Sequence, residues 1–394
     1  MPNLFTRLAG GRSVTPESKS ARVLMSLREL GDPDWTRRSF PALAQEGFAR
    51  NPVVHRCVRL IAEAANRVPL VAVEDGKRLT QHPLLKLLRR PNPHQSGSEL
   101  LEAVYAYLQT AGNAYLNAAI ADGEVKGLFC LRPDRMQVVA GADGWPEAYA
   151  YTSGGRTQTL RQDTAPVSSV LHLALFHPLD DHYGLAPLAA AQQSLDLHNA
   201  AARWNKALLD NSARPSGALV YSAGTGQLTE DQFTRLKEEL ETAFQGAANA
   251  GRPMVLEGGL DWKAIGISPR DMDFVEAKHV AAREIALAFG VPPMMLGIPG
   301  DNTYSNYAEA NCAFWRLTVL PLVARTAAAL QGWLAPLWTE NLRLSFDTDQ
   351  VDAMSTDREA LWSRVGKADF LTEDEKRVAC GYGPRATAEP GLPT

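Results

Sequence analysis

Two long runs with helical apolar spacing, residues 188–211 and 271–289, bracket a segment broken up by glycine and proline, and this pairing constrains the fold more than any other feature. In the first run Leu197, Ala201, Trp204 and Leu208 recur at steps of four, three and four, which places them on one helical face. In the second, Phe274, Ala277, Ala281, Ile285 and Ala288 share a face until Gly290 and Pro292-Pro293 stop the helix. The breaker Arg214-Pro215-Ser216-Gly217 ends the first run. A helix rises about 1.5 Å per residue, so runs of roughly 18 residues make rods roughly 27 Å long. Such rods hold whatever lies between them well away from the main body. The predicted plan is body, stalk, tip, stalk.

The tip reads as a small α+β module. Residues 218–221 form a strand, and Thr229 with Gln232 makes a capping box for a helix that buries Phe233, Leu236, Leu240 and Phe244 and ends at Gly246. Lys237, Glu238 and Glu241 face away from that stripe. Residues 254–256 and 262–265, joined around Gly258-Gly259, return the chain as strands.

The body reads as mixed α+β. Asn51 caps a helix over residues 52–66 whose first position, Pro52, has no amide hydrogen to leave unpaired. Helices follow over 83–89 and from Ser96 or Ser98 to Thr110, with Ser96 and Glu99 spaced as a capping box and Gly112 as the stop. Short apolar runs at 70–73, 114–120, 136–139 and 170–176 alternate with Asp-Gly pairs at 75–76, 122–123 and 143–144, which supply the positive φ of tight hairpins. Ordered structure is expected to begin near Asn51, after a Ser-, Arg- and Pro-rich arm. Beyond the second rod come a polar loop over 299–306 and a helix over 307–338 kinked at Pro321. Two short helices over 357–365 and 373–379 follow, the second opened by Thr372 and Glu375 and closed by Gly381.

Charge and motifs narrow the function classes. With 40 Lys and Arg against 44 Asp and Glu, the chain has a net charge of −4 and no basic excess for gripping phosphates. Cys57, Cys130, Cys312 and Cys380 are far apart and read as reduced thiols of a cytoplasmic protein. The N-terminal dozen residues lack the apolar core of a secretory signal. The apolar stretch 313–338 is interrupted by Arg316, Arg325, Gln331 and two prolines and reads as a packed helix, not a membrane span. His172, His177, His182, Asp180 and Asp181 cluster in sequence, but their spacing matches no single helix or strand face, so a polar loop is expected and no metal. There is no GxSxG, GxxxxGK[ST] or HExxH pattern, so the reading is a chain without enzymatic chemistry or cofactor.

The ordered stretches NPVVHRCVRLIAEAANRVPL (51–70), HPLLKLLRRPNPHQSGSEL (82–100), GNAYLNAAI (112–120), LRPDRMQVV (131–139) and NSARPSGAL (211–219) carry a resemblance. It continues through RPMVLEGGLDWKAIGISPRDMDFVEAKHVAAREIALAFGVPPMMLG (252–297), TYSN (303–306) and FLTEDEKRVACGYGP (370–384). Together they resemble the HK97-type family of tailed-phage portal proteins, including those of phage-derived gene transfer agents. The resemblance implies an α+β portal fold assembling as a ring, usually a dodecamer. Its parts would be an N-terminal arm (1–50), an α+β wing (51–187), a stem helix (188–212), a clip (213–269) and a second stem helix (270–292). A tunnel loop (293–306), a long kinked helix of wing and crown (307–340), and a crown with C-terminal tail (341–394) would complete it.

The resemblance also implies function. The ring would sit at one capsid vertex of a virion or phage-like particle, assembled in the bacterial cytoplasm, as the channel for packaging and ejecting double-stranded DNA. Its partners would be further copies of the chain, the DNA, the large terminase, the head-to-tail adaptor and the major capsid protein, with no membrane. Asn302, Thr303, Tyr304, Ser305 and Asn306 are the expected tunnel-loop residues, uncharged groups able to touch phosphates lightly. Lys263, Arg270, Lys278 and Arg283 are candidates for rings of positive charge lining the channel. Arg235, Lys237, Glu238 and Glu241 are candidates for the clip surface that meets partners. The competing reading is another head-to-tail connector or minor capsid structural protein.

Overall fold

The computed structural model describes residues 35–75, 77–163, 166–210, 217–221, 231, 234–235, 260–264, 274–299, 304–339, 341–383 and 385. From Arg37 onward they belong to one compact unit.

The first helix, α1 (Phe40–Leu43), runs on as a π-helical turn over Ala44–Ala49, and both Leu43 and Gly47 are buried. The expectation that regular structure begins at Asn51 is therefore corrected. No apolar periodicity announced this helix, because it is only ten residues long and partly π-wound.

Asn51 then opens α2 (Pro52–Asn66), its side-chain oxygen accepting from the amides of Val53 and Val54. The inner face of α2, Val54, Cys57, Val58, Ile61 and Ala62, is buried. Burial pushes the Cys57 thiol up to about 12, so it sits in the core as a protonated apolar group. Two strands, β1 (Leu70–Glu74) and β2 (Lys77–Leu79), pair across a turn in which Asp75 has φ 49°. Next come α3 (Pro83–Arg89) and α4 (Gly97–Ala111), the latter with the full Ser96–Glu99 capping box and with Gly112 left-handed at its end, as the sequence indicates.

The strands β3 (Asn113–Ala121) and β4 (Glu124–Leu131) form a hairpin through Asp122 and Gly123, both at positive φ. A second meander, β5 (Met136–Ala140), β6 (Pro146–Ser153) and β7 (Arg156–Arg161), stands beside it. The strand β8 (Val170–Ala174) pairs antiparallel with β3, placing His172 opposite Tyr115. One large core joins the helices to β1, β3, β8 and the C-terminal strand, and a smaller one gathers Tyr115, Met136, Tyr149 and Val170.

A short α5 (Pro187–Ala190) and the long α6 (Gln192–Asp210) follow, separated at Ala191, where a single helix was expected. Then β9 (Gly217–Tyr221) pairs antiparallel with β10 (Leu260–Ala264), and α7 (Phe274–Ala288) returns to the body, stopped by Gly290 at φ 66°.

After a 3₁₀ turn at Pro293–Leu296 comes α8 (Tyr304–Phe314), then a π-helical turn, Trp315–Val319, and α9 (Leu320–Leu334). The irregularity expected at Pro321 thus lies just before it: widening the preceding turn moves the Leu317 carbonyl out of the way of the proline ring. By length and composition the 306–337 stretch is apolar enough to cross a membrane. Its Leu322, Val323, Ala327, Leu330 and Leu334 are nevertheless buried in the body's core, and Arg325 donates to the Ala174 carbonyl at 2.6 Å.

The C-terminal part was read as helices alone, and this is corrected by β11 (Leu342–Phe346), which pairs antiparallel with β1 and makes β1 the central strand of its sheet. Beyond it lie α10 (Ser355–Gly366) and α11 (Glu373–Ala379), the latter with the Thr372–Glu375 capping box.

A joint between the stalk and the body hangs on Asn51. While its oxygen caps α2, its Nδ2 donates to His198 Nδ1 at 3.0 Å and to Asn199 Oδ1 at 2.9 Å, both on α6. Replacing Asn51 with Ala removes a cap and strands a buried imidazole nitrogen, so it is expected to cost about 2–4 kcal/mol in a thermal or urea melt. Asn51→Asp keeps the cap acceptor and loses the donor, so a smaller loss is expected. Equal melts for the two variants would show that the contact to α6 contributes nothing.

Candidate functional site

The candidate site is the pair of long helices and what they carry. α6 and α7 lie antiparallel, with Ser194 donating to Glu284 at 2.6 Å near the body and the β9–β10 pair joining the chain beyond their other ends. On α6 the buried positions are Leu195, His198 and Ala201, and on α7 they are Ala281, Ala282, Ile285 and Ala286. Burial first, and the nearby Lys278 charge second, hold His198 below its ordinary value, consistent with a neutral ring accepting from Asn51.

The sequence-derived residues divide into three groups. Lys278 and Arg283 lie on α7, Lys278 half-buried and Arg283 exposed. Arg283 also donates to the Pro299 carbonyl, tying the stalk to the last described residue but one before α8. Lys263 sits in β10, and Arg235 is a helical, exposed residue. Arg270, Lys237, Glu238, Glu241, Asn302 and Thr303 lie outside the described residues, as do the strand expected at 254–256 and most of the helix from Thr229 to Gly246.

Tyr304, Ser305 and Asn306 are not loop but the first turn of α8, which corrects both their assignment and the expected helix start at Tyr307. Polar residues in a first turn carry no apolar period, so that turn read as a continuation of the loop.

The histidine-rich stretch falls apart into turn contacts. His177 Nδ1 accepts from the Leu179 amide, and Asp180 accepts from the amides of His182 and Tyr183. His172 turns inward: it stacks on Tyr115 at 4.3 Å, its Nε2 meets Asn113 Oδ1 at 2.9 Å and its Nδ1 meets the Tyr149 hydroxyl at 3.3 Å. Among the described residues no group of three or more His, Cys, Asp or Glu side chains converges to hold a metal.

Sequence reasoning passed over the joint of Asn51 with His198 and the node around Asn113, because each closes between residues distant in sequence. Asn113 Nδ2 donates to the Ala111 and Gly184 carbonyls, and its Oδ1 accepts from Gly184 and faces His172. The signal available was an Asn directly after the helix-stopping Gly112, at the start of an apolar run.

With this geometry in hand, comparison with known proteins is decisive. The family model described as phage portal protein matches residues 52–381. The chain belongs to the phage portal protein family. The portal protein of Enterobacteria phage HK97 is 28% identical, over 93% of this chain and 85% of that one. Among solved structures, a chain from the neck of an empty gene transfer agent (GTA) particle, computed with C6 symmetry, is 53% identical. It aligns with a TM-score of 0.71, covering 92% of this chain and 99% of that chain. A chain from the neck of a native GTA particle computed with C12 symmetry is 51% identical with a TM-score of 0.69, over 93% and 99%. These matches bear out the family resemblance and the α+β portal fold read from the sequence.

Proposed function

We propose that this family member is the portal subunit of a phage-like particle, forming by repetition the ring at one capsid vertex through which double-stranded DNA is packaged and ejected. The observation that carries this reading is the 53% identity, over nearly the full length of both chains, with a chain of a GTA particle neck. The C12 symmetry applied to a second such neck supports a twelve-membered ring. In that reading α6 and α7 are the stem, β9 and β10 belong to the clip, and the body is the wing.

A channel for sliding DNA works best when it binds DNA weakly, because each neutralised phosphate adds salt-dependent affinity. A chain of net charge −4 suits that need, and the lining is proposed to be weakly acidic or mixed. Residues 302–306 are proposed to face the DNA, Asn302 and Thr303 as loop and Tyr304 to Asn306 as the adjoining helical turn. Lys263, Arg270, Lys278 and Arg283 are proposed to line the channel. The clip, with Arg235, Lys237, Glu238 and Glu241, is proposed to dock the large terminase and then the head-to-tail adaptor, while the wing meets the major capsid protein. ATP hydrolysis belongs to the terminase, and the ring itself has no catalytic role in this reading.

Electron-microscope class averages of the purified protein, cross-checked by native mass, test it. Twelve- or thirteen-fold rings with an opening of about 20 Å or more, wide enough for a DNA duplex, are expected. A stable monomer across the salt and concentration conditions in which portals assemble would overturn the proposal in favour of a different connector.

A further inference from the structure

The outer face of α6 is apolar and exposed. Gln193, Leu197, Ala200, Trp204 and Ala207 recur at steps of four, three, four and three, and all are exposed, Leu197 to 56% and Trp204 to 43%. They lie opposite Leu195, His198 and Ala201, with which α6 packs inward. α7 repeats the arrangement: Glu276, Val280, Arg283 and Leu287 share an outer face opposite Ala281, Ile285 and Ala286, with Leu287 79% exposed and Val280 44%.

A surface helix ordinarily presents polar residues outward, so two apolar outer faces on adjacent rods call for a partner. Their flanking charges are opposite: the exposed Arg203 and Lys206 lie beside the α6 stripe, and Glu276 lies on the α7 face. The faces are different surfaces of one chain, and contact between unlike surfaces of identical subunits, repeated by rotation, generates a ring.

We infer that the α6 stripe of each subunit seats on the α7 outer face of the next copy. The inference rests on the ring reading above and assigns the joint within it. Register follows from geometry already given. Ser194 lies beside Glu284, so four residues up α6 corresponds to four residues down α7, which puts Leu197 near the height of Val280 and Trp204 near that of Glu276. Rotation about the ring axis preserves height, so Leu197 meets the neighbour's Val280, and Trp204 covers the turn that begins at Glu276. This places Arg283 at the subunit joint, beside its bond to Pro299, and leaves Lys278, which lies outside the α7 stripe, as the better candidate for the channel surface.

The test uses the full chain with two substitutions, Leu197→Asp on one face and Val280→Asp on the other, each confirmed as folded by circular dichroism. Each variant alone is expected to lose ring formation, with the joint weakened about a hundredfold or more, and to run as a monomer by native mass. An equimolar mixture retains one intact pair of faces and is expected to give a one-to-one heterodimer and no ring. Rings from either single variant would overturn the inference, as would monomers alone in the mixture. Self-association of one variant into a symmetric dimer would overturn it too, by pointing to contact between like faces. If the unsubstituted chain forms no ring under the same conditions, the portal reading fails first, and that outcome is distinct from all of these.

Discussion

Gly184→Ala is expected to abolish the native fold of the wing, with loss of soluble yield or a destabilisation above about 4 kcal/mol. A Cβ at Gly184 would fall onto the Gly112 carbonyl oxygen and within 2.7 Å of the Leu175 carbonyl oxygen, and both are backbone atoms that no rotamer change can move aside. The same two segments are joined by Asn113, which bonds to both the amide and the carbonyl of Gly184, and by the Leu175 amide donating to the Gly112 carbonyl at 2.8 Å. Gly112→Ala should fail comparably, since a Cβ there would stand 2.7 Å from the Ala186 nitrogen. Gly123→Ala is the control. Gly112 and Gly123 share a φ of 72°, yet nothing lies within 4 Å of a Cβ at Gly123, so strain alone is expected to cost about 1 kcal/mol there. Equal melting temperatures for the Gly112 and Gly123 variants would show that backbone strain, and not the close crossing, is what the glycines serve.

The second large effect is acid sensitivity centred on His172. Burial first, and the neighbouring His182 second, lower its value from 6.5 to about 4. The Asn113 oxygen can only accept, so Nε2 carries the proton and Nδ1 accepts from Tyr149. The folded chain thus holds a neutral ring with both nitrogens bonded. As the pH falls below about 6.5 the unfolded chain takes up a proton that the folded chain refuses. The contribution is therefore complete above that pH and is lost progressively down to about pH 4. A gap of this size is on the order of 3 kcal/mol. Urea melts across pH 4 to 7 should show stability rising with pH, with a distinctly flatter profile for His172→Gln. Parallel profiles for the two proteins would remove His172 as the source.

How much of this could be read beforehand depended on how far apart the responsible residues lie. The caps at Asn51, Ser96 with Glu99 and Thr372 with Glu375 were legible because each closes within three or four residues. The hairpin turn at Asp122-Gly123 was legible for the same reason. β11 was not, since Leu342–Phe346 follows directly on a helical run and its partner β1 lies some 270 residues earlier. β7 was not either: of its residues 156–161 only Leu160 is apolar, and its pairing with β6 is largely exposed. For the candidate site, the spacing of Leu197 and Trp204 correctly gave a helix with a shared face, but periodicity cannot say whether that face is buried within one chain or between two. Tyr304 to Asn306 misled because a first helical turn needs no apolar residue.

The pairing of β1 with β11 bears on how the molecule would carry load. Everything from the stem outward is a closed excursion of the chain, leaving the body through α6 and re-entering through α7, while the strands beyond both crossings are laced to each other at Leu70 and Phe346. Tension applied at the far end of the rods therefore enters a sheet sewn from both halves of the polypeptide and finds no free strand end from which to unzip it. Rupture has to shear five paired residues at once, instead of peeling them one after another. A motor pressing on that end would be working against a closed seam.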